Sequence, residues 1–466
     1  MKRRPRSRGW SLSLMVLVLA LTILGAVSCV PGKTYRTQLK TADYCVARDM
    51  RDCPRDALHL VAGAPQGVSS PLLGFVEFDD QGYLREPVLK DQLVRHLGSL
   101  ATARPLLIVV FTHGWKHNAD PADGNVAAFS QLLLDLAAAD AEGCASTPCQ
   151  SRQVVGVYLG WRGLSNRLEP FKTLSFWDRK GRAHRVGGDG VTEVLAELAK
   201  INARDRESRL VIMGHSFGGA VVYNAVNQML IRDTAFLNRD RVARNVADLI
   251  VLVNPAFEAA RFNAIQRKAS GFTFVPKQKP ILAIFTSEAD TATKRAFPAG
   301  RALSTLFSEH RDARQRSQNI RAIGHYAPFQ THTLTENKGA TTASLGEFAC
   351  AWQAYSRGDT DHWAVGPVAL NRMAPPDSGS RRFNPYLVVR VEKGIISGHN
   401  DIWGEAFSDF VYRFVAVQDY RTCPSADATP DPSASPAEAA PTDAAPTEAS
   451  PTEATEVADE RSARQP

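Results

Sequence analysis

Six short apolar runs decide what this chain can fold into: Pro105–Phe111 (PLLIVVF), Val154–Leu159, Leu210–Met213, Leu249–Val253, Ile281–Phe285 and Tyr386–Val391. Each is continuous rather than alternating, as a strand reads when both of its faces are buried in a parallel sheet. Between them, Asn125–Ala141, Gly190–Asn202 and Gly219–Leu230 carry apolar residues at helical spacing. Strand–helix alternation predicts an α/β fold with a mostly parallel central sheet flanked by helices. Gly74–Leu84 reads as an antiparallel hairpin at the sheet edge. Residues 297–384 interrupt the alternation and read as a loop-rich insertion before the last strand, placed to cover a site. Residues 424–466, with repeats such as APTDAAPTEASPTEAT, hold no aromatic residue and no apolar period. Such a segment cannot bury enough surface to offset its chain entropy, so a disordered tail is expected. Setting aside that tail and residues 1–28 leaves 395 residues, 29–423, for the folded domain.

The chemistry starts at Gly214-His215-Ser216-Phe217-Gly218-Gly219. It follows the apolar run ending at Met213 and opens the helix-like stretch AVVYNAVNQML. A strand–turn–helix of this kind holds its serine in a strained backbone conformation, and side chains two positions to either side would clash. Glycine occupies both places, so Ser216 is the candidate nucleophile.

With this motif in place the chain resembles the α/β-hydrolase superfamily, and most of all its bacterial serine-hydrolase members with an HGW segment early and an HxDxW segment late. The resemblance covers roughly residues 100–260, 279–295 and 385–417. It does not extend to the N-terminal stretch, the insertion or the tail. It implies an α/β-hydrolase fold and the chain order serine, acid, histidine. It also implies that the backbone N–H groups of Trp115, in Thr112-His113-Gly114-Trp115, and of Phe217 form an oxyanion hole. His113 is expected to orient that loop, not to act as the base. The acid expected is Asp290, in Thr286-Ser287-Glu288-Ala289-Asp290, with Glu288 as the fallback. The base expected is His399, in Gly398-His399-Asn400-Asp401-Ile402-Trp403, with His325 and His332 as rivals inside the insertion. Trp115, Trp161, Phe217 and Trp403 either line an acyl pocket or belong to the core. The implied activity is hydrolysis of a carboxylic ester, carried on a small molecule or a lipid, through an acyl-enzyme with no cofactor and no metal. His113 and His117 sit on a strand-to-loop junction, which does not suit a metal pair. Two other readings stand beside this one: an acyltransferase on an envelope lipid or glycan using the same triad, and a non-catalytic envelope lipoprotein scaffold.

The N-terminus bears on location. Lys2, Arg3, Arg4, Arg6 and Arg8 precede the apolar run LSLMVLVLALTILGAV at 12–27, and small residues and Cys29 follow. That order describes an export signal. Ala26-Val27-Ser28-Cys29 resembles the lipobox of bacterial lipoproteins, although Ala26 stands where leucine is usual. The resemblance implies lipidation of Cys29 and membrane anchoring in the cell envelope. An uncleaved anchor helix and cleavage leaving a free thiol are the competing readings. Taking Cys29 out of the seven cysteines leaves six; proximity pairs Cys45 with Cys53, Cys144 with Cys149, and Cys350 with Cys423. An oxidising compartment suits such pairs. The chain carries +7 overall, with +5 in residues 1–8 and −7 in residues 424–466, so the middle holds +9. A basic body favours anionic surfaces. No zinc-finger, basic-zipper or RNA-binding signature appears, and nucleic acid is not an expected partner.

Overall fold

The computed structural model describes residues 14–20, 30, 32–146, 149–164, 171–235, 246–275, 278–339, 344–373 and 383–419. The lipobox with Cys29, most of the apolar run before it, Cys423 and the segment 424–466 lie outside the described residues. Residues 14–20 form a short exposed helix. No helix among the described residues is long and apolar enough to cross a membrane.

The described residues build one sheet of twelve strands: β1 Cys45–Ala47, β2 Leu58–Val61, β3 Leu72–Glu77, β4 Leu106–Thr112, β5 Gln153–Gly160, β6 Arg209–His215, β7 Leu249–Val253, β8 Leu282–Ser287, β9 His332–Glu336, β10 His362–Val365, β11 Val368–Arg372 and β12 Tyr386–Val391. Their spatial order is β1-β2-β3-β5-β4-β6-β7-β8-β12-β9-β11-β10. From β3 through β9 every neighbouring pair is parallel; β2–β3, β9–β11 and β11–β10 are antiparallel. This is the α/β-hydrolase fold, as expected.

The apolar runs become strands because successive side chains go to opposite faces and both faces are covered. In β4, Leu106, Ile108 and Val110 join one core, and Leu107, Val109 and Phe111 join the other. Helices Pro87–Ala103, Gly190–Asn202 and Phe217–Ala235 pack on the first face. Helices Gly124–Ser146, Leu345–Arg357 and Glu405–Ala416 pack on the second. Gly190–Asn202 buries Val191, Val194, Leu195, Leu198 and Ile201, the stripe that helical spacing predicts.

Two expectations need correction. The stretch at Gly74–Leu84 is not an edge hairpin. Its first part belongs to β3, an interior strand buried along its whole length, and the antiparallel return shrinks to one bridge between Phe78 and Leu84. The segment 297–384 is not mainly loop. It adds β9, β10 and β11 to the sheet beyond β12, together with helix Leu345–Arg357. That helix is held at its start by a Ser344–Glu347 capping box and ends at Gly358 in the left-handed region.

Two disulfides, Cys45–Cys53 and Cys144–Cys149, form as proximity predicts. Cys350 is also disulfide-bonded, to a partner outside the described residues.

The second core gathers on Phe285 of β8, whose ring meets those of Phe407, Phe410 and Phe414 edge-on at 5.6, 5.4 and 6.0 Å. Phe285→Ala removes a fully buried ring and leaves a cavity. It should cost about 3–5 kcal/mol in urea unfolding; a loss below about 1 kcal/mol would contradict this account of the core.

Candidate active site

Ser216 sits between β6 and helix Phe217–Ala235 with φ at +55°. A non-glycine residue held there is strained, and the surroundings must enforce it. Its N–H donates to Val253 O at 3.0 Å, and its carbonyl accepts from the N–H groups of Ala220 and Ala256 at 3.2 and 3.0 Å. The helix start lies so close to the end of β4 that a Cβ at Gly218 would stand 2.0 Å from Thr112 O and 2.5 Å from His113 O. Only glycine fits.

His399, in the loop after β12, brings Nε2 to 2.7 Å from Ser216 Oγ. Its Nδ1 stands 2.9 Å from Asp290 Oδ1, within ion-pair range but off the line of a straight N–H···O bond. Asp290 follows β8 and is fully buried, and Ser216 is 1% exposed. The three expected residues therefore meet, although 183 positions separate Ser216 from His399. Burial pushes the Asp290 carboxyl up, but His399 and the hydroxyl and N–H of Thr293 together outweigh it and hold it below the ordinary aspartate range.

The loop carrying His399 is tied from below. Its carbonyl accepts from His215 Nε2–H at 2.9 Å and from Asn254 Nδ2–H at 3.0 Å. Asn254, fully buried with φ at +47°, also accepts the Ser287 N–H on its Oδ1 at 2.9 Å. Ser287 Oγ in turn donates to Ile396 O at 2.6 Å. The ends of β6, β7 and β8 thus fix where the imidazole stands.

Residues that sequence reasoning missed support the acid. Thr293 N–H donates to Asp290 Oδ1 at 3.0 Å, and the Thr293 hydroxyl donates to Oδ2. That hydroxyl oxygen then accepts from His325 Nε2–H at 3.0 Å. His325, a rival for the base on sequence, stands behind the acid. Burial lowers its pKa to about 4, so it is neutral there. Helix-cap spacing from Asp290 to Thr293 was the one sequence signal for this contact. Neither Glu288 nor His332 reaches the serine. Glu288 is exposed and faces Arg390 at 3.4 Å, and His332 is buried in β9 beside Tyr355.

The segment Thr112–Trp115 lies directly against the serine: a Cβ at Gly114 would fall 2.8 Å from Ser216 Cβ. His113 holds this loop. Its Nδ1–H donates to Gly114 O at 2.9 Å, its Nε2 accepts from Trp161 N–H at 3.1 Å, and its ring stacks on Trp161 at 5.7 Å. Phe217 is the first residue of its helix, so its amide belongs to the turn whose N–H groups have no partner inside the helix. The Phe217 ring and Trp161 are core, and Trp403 donates to Asn125 Oδ1 at 2.8 Å. Trp115 is half-buried, with Lys116 Nζ 4.4 Å from its ring centre. His117 binds Asp123 at 2.9 Å. Among the described residues, the one trio with metal-ligand spacing is Cys45, Cys53 and Asp56, and its two cysteines are bonded to each other.

Two cavities matter for orientation. One, walled by Leu107, Leu136, Val211 and Leu249, lies where β4, β6 and β7 begin, the end of the sheet away from Ser216. A polar pocket lies at the other end, beside Lys116 and Trp161.

Residues 89–297 match the family described as alpha/beta hydrolase of unknown function (DUF900). That span includes Ser216 and Asp290 and stops before His399. No curated protein matches the chain. Among solved structures, phospholipase PlaB from Legionella pneumophila in complex with thio-NAD is 12% identical, with a TM-score of 0.22 over 58% of this chain. The match spans half of that phospholipase, 50%. A Trichoderma reesei cutinase in complex with a phosphonate inhibitor is 16% identical, with a TM-score of 0.17 over 38% of this chain and 78% of its own. A YdeN-like hydrolase from Pectobacterium atrosepticum is 12% identical, with a TM-score of 0.14 over 42% of this chain and 71% of its own.

Burial lowers the pKa of His59, His215 and His332 to about 3 and of His113 to about 4. All four are nearly inaccessible to solvent. The unfolded chain binds protons at these groups near pH 6.5, and the folded chain refuses them until far lower pH. Stability is therefore lost as pH falls below about 6.5, by roughly 1 kcal/mol for each group at pH 5.5. The urea midpoint should drop steeply between pH 7 and pH 5; a flat profile would show that these histidines accept protons in the folded state.

Proposed function

We propose that this member of the α/β-hydrolase superfamily is a serine hydrolase that cleaves carboxylic esters through Ser216, His399 and Asp290. The observation that carries the reading is the 2.7 Å contact between Ser216 Oγ and His399 Nε2, with Asp290 Oδ1 2.9 Å from the other ring nitrogen. Ser216 Oγ attacks the ester carbonyl while His399 Nε2 takes its proton. Asp290 keeps the second proton on Nδ1 and stabilises the imidazolium. The backbone N–H groups of Trp115 and Phe217 receive the charge that develops on the carbonyl oxygen; one such donor is worth about 3–4 kcal/mol in comparable sites. His399 then protonates the leaving alcohol, the acyl group stays on Ser216, and a water activated by the same imidazole releases it. Thr293 holds the Asp290 carboxylate through its N–H and hydroxyl, and His325 holds the Thr293 hydroxyl in turn.

A fluorophosphonate probe should label the wild-type protein and leave Ser216→Ala unlabelled. Asp290→Asn should hydrolyse p-nitrophenyl butyrate on the order of 10⁴-fold more slowly. A folded wild type that takes no label would favour a scaffold. Faster p-nitrophenol release with an added alcohol, with the alcohol's ester accumulating, would point to acyl transfer.

We further propose that the protein belongs to the cell envelope, held by a lipid on Cys29. The basic residues and apolar run before Cys29, and the disulfides of the folded body, support this location. One acyl chain holds a protein to a bilayer only weakly, so a stable anchor carries more than one. A fatty-acid analogue fed to expressing bacteria should tag the wild type and not Cys29→Ser; equal tagging of both would remove the lipid anchor from this reading.

A further inference from the structure

The polar pocket on the far side of the loop after β4 is lined mostly by cations among its charged residues. Lys33, Arg85, Lys116 and Arg162 line it, and Glu77 is the one acid among its described lining residues. The Glu77 carboxylate is already taken up by the wall: it accepts the N–H of Tyr35 at 2.9 Å and of Arg36 at 2.7 Å. Behind Arg162, the Asp80 carboxylate joins three guanidiniums. It binds Arg162 itself, Arg179 at 2.7 Å and Arg182 at 2.8 Å. Cations gathered in a concave, partly screened place attract an anion more strongly than the same charges spread over a surface.

The pocket is one loop away from the chemistry. Lys116 N–H donates to Gly163 O at 3.2 Å, and Gly163 N–H donates to His117 O at 3.0 Å. The two strips are so close that a Cβ at Gly163 would stand 2.8 Å from Gly114 O. Gly114 is the residue that packs on Ser216. A molecule reaching from Ser216 across this loop arrives among the cations. The chain also enters the described body here, where Arg162 Nη1–H donates to Val30 O at 2.7 Å.

We propose that this pocket is a head-group subsite: it binds the anionic group, of phosphate type, on an ester whose carbonyl is presented to Ser216. The inference rests on the ester-hydrolase reading and adds the class of substrate. Arg and Lys donors suit phosphate oxygens through charge-assisted hydrogen bonds.

The test uses full-length protein in neutral detergent. Binding of dihexanoylglycerol 3-phosphate, of neutral dihexanoylglycerol and of inorganic phosphate to Ser216→Ala is measured by calorimetry, and wild-type hydrolysis of the two esters is followed alongside. The phosphate ester should bind about tenfold or more tightly than the neutral one, and the advantage should shrink as salt is raised. Lys33→Gln with Arg85→Gln should bring the affinities for the two esters close to parity. Lys33→Glu alone, at a residue of the pocket rim, should move the ratio the same way if the double variant folds poorly. Equal affinity for the two esters in a protein that hydrolyses both would overturn the subsite and leave the hydrolase standing. Inorganic phosphate binding as tightly as the phosphate ester would also overturn it, since the site would then serve a free anion. Preferential binding of the phosphate ester without hydrolysis of either one would keep the anion site and sink the hydrolase reading.

Discussion

Everything at the site depends on how closely two pieces of backbone approach each other. The turn after β6 and the loop after β4 lie in contact, with no room for a side chain at Gly218 or Gly114. That contact holds Ser216 at φ +55°, a conformation that would relax in a looser setting. Trp115 and Phe217 are the chain neighbours of those two glycines, so the same approach governs where their amides stand. The strain is sustained by the two cores, which press helices onto both faces of β4 and β6.

A second layer of interactions turns this turn into a place where chemistry can run. The carbonyl of His399 is held by His215 and Asn254, and the carboxylate of Asp290 by Thr293 with His325 behind it. His215 and His325 are kept neutral by burial, so they donate single hydrogen bonds and add no charge beside the imidazole. The segment 297–384 enters the site in this way. It sends His325 to the rear of the acid, and its strands widen the sheet.

How much could be read from sequence follows from where each residue gets its constraint. β4, β7 and β12 were legible because strands buried on both faces must be apolar throughout. β9 was not: HTLTE is buried only at alternate positions and reads as polar loop. Ser216 was legible because its neighbours must be glycine. Asp290 and His399 were placed from the order of elements in the resembling superfamily, since each follows a strand. The contact between Thr293 and His325 carries no such mark, because they stand 32 positions apart and meet only through the way the chain between them folds. The basic pocket was invisible for the same reason. Lys33, Arg85, Lys116 and Arg162 come from four separate segments, and the net charge of the chain's middle gave no hint that they converge.

The central claim is that the hydroxyl of residue 216 attacks a carbonyl whose oxygen is received by two backbone amides. A crystal structure of the protein after reaction with an alkyl fluorophosphonate tests it most directly. The account predicts phosphorus bonded to Ser216 Oγ and the phosphoryl oxygen about 2.7–3.1 Å from the amide nitrogens of both Trp115 and Phe217. Phosphorus on another residue, or a phosphoryl oxygen turned away from both amides, would contradict it.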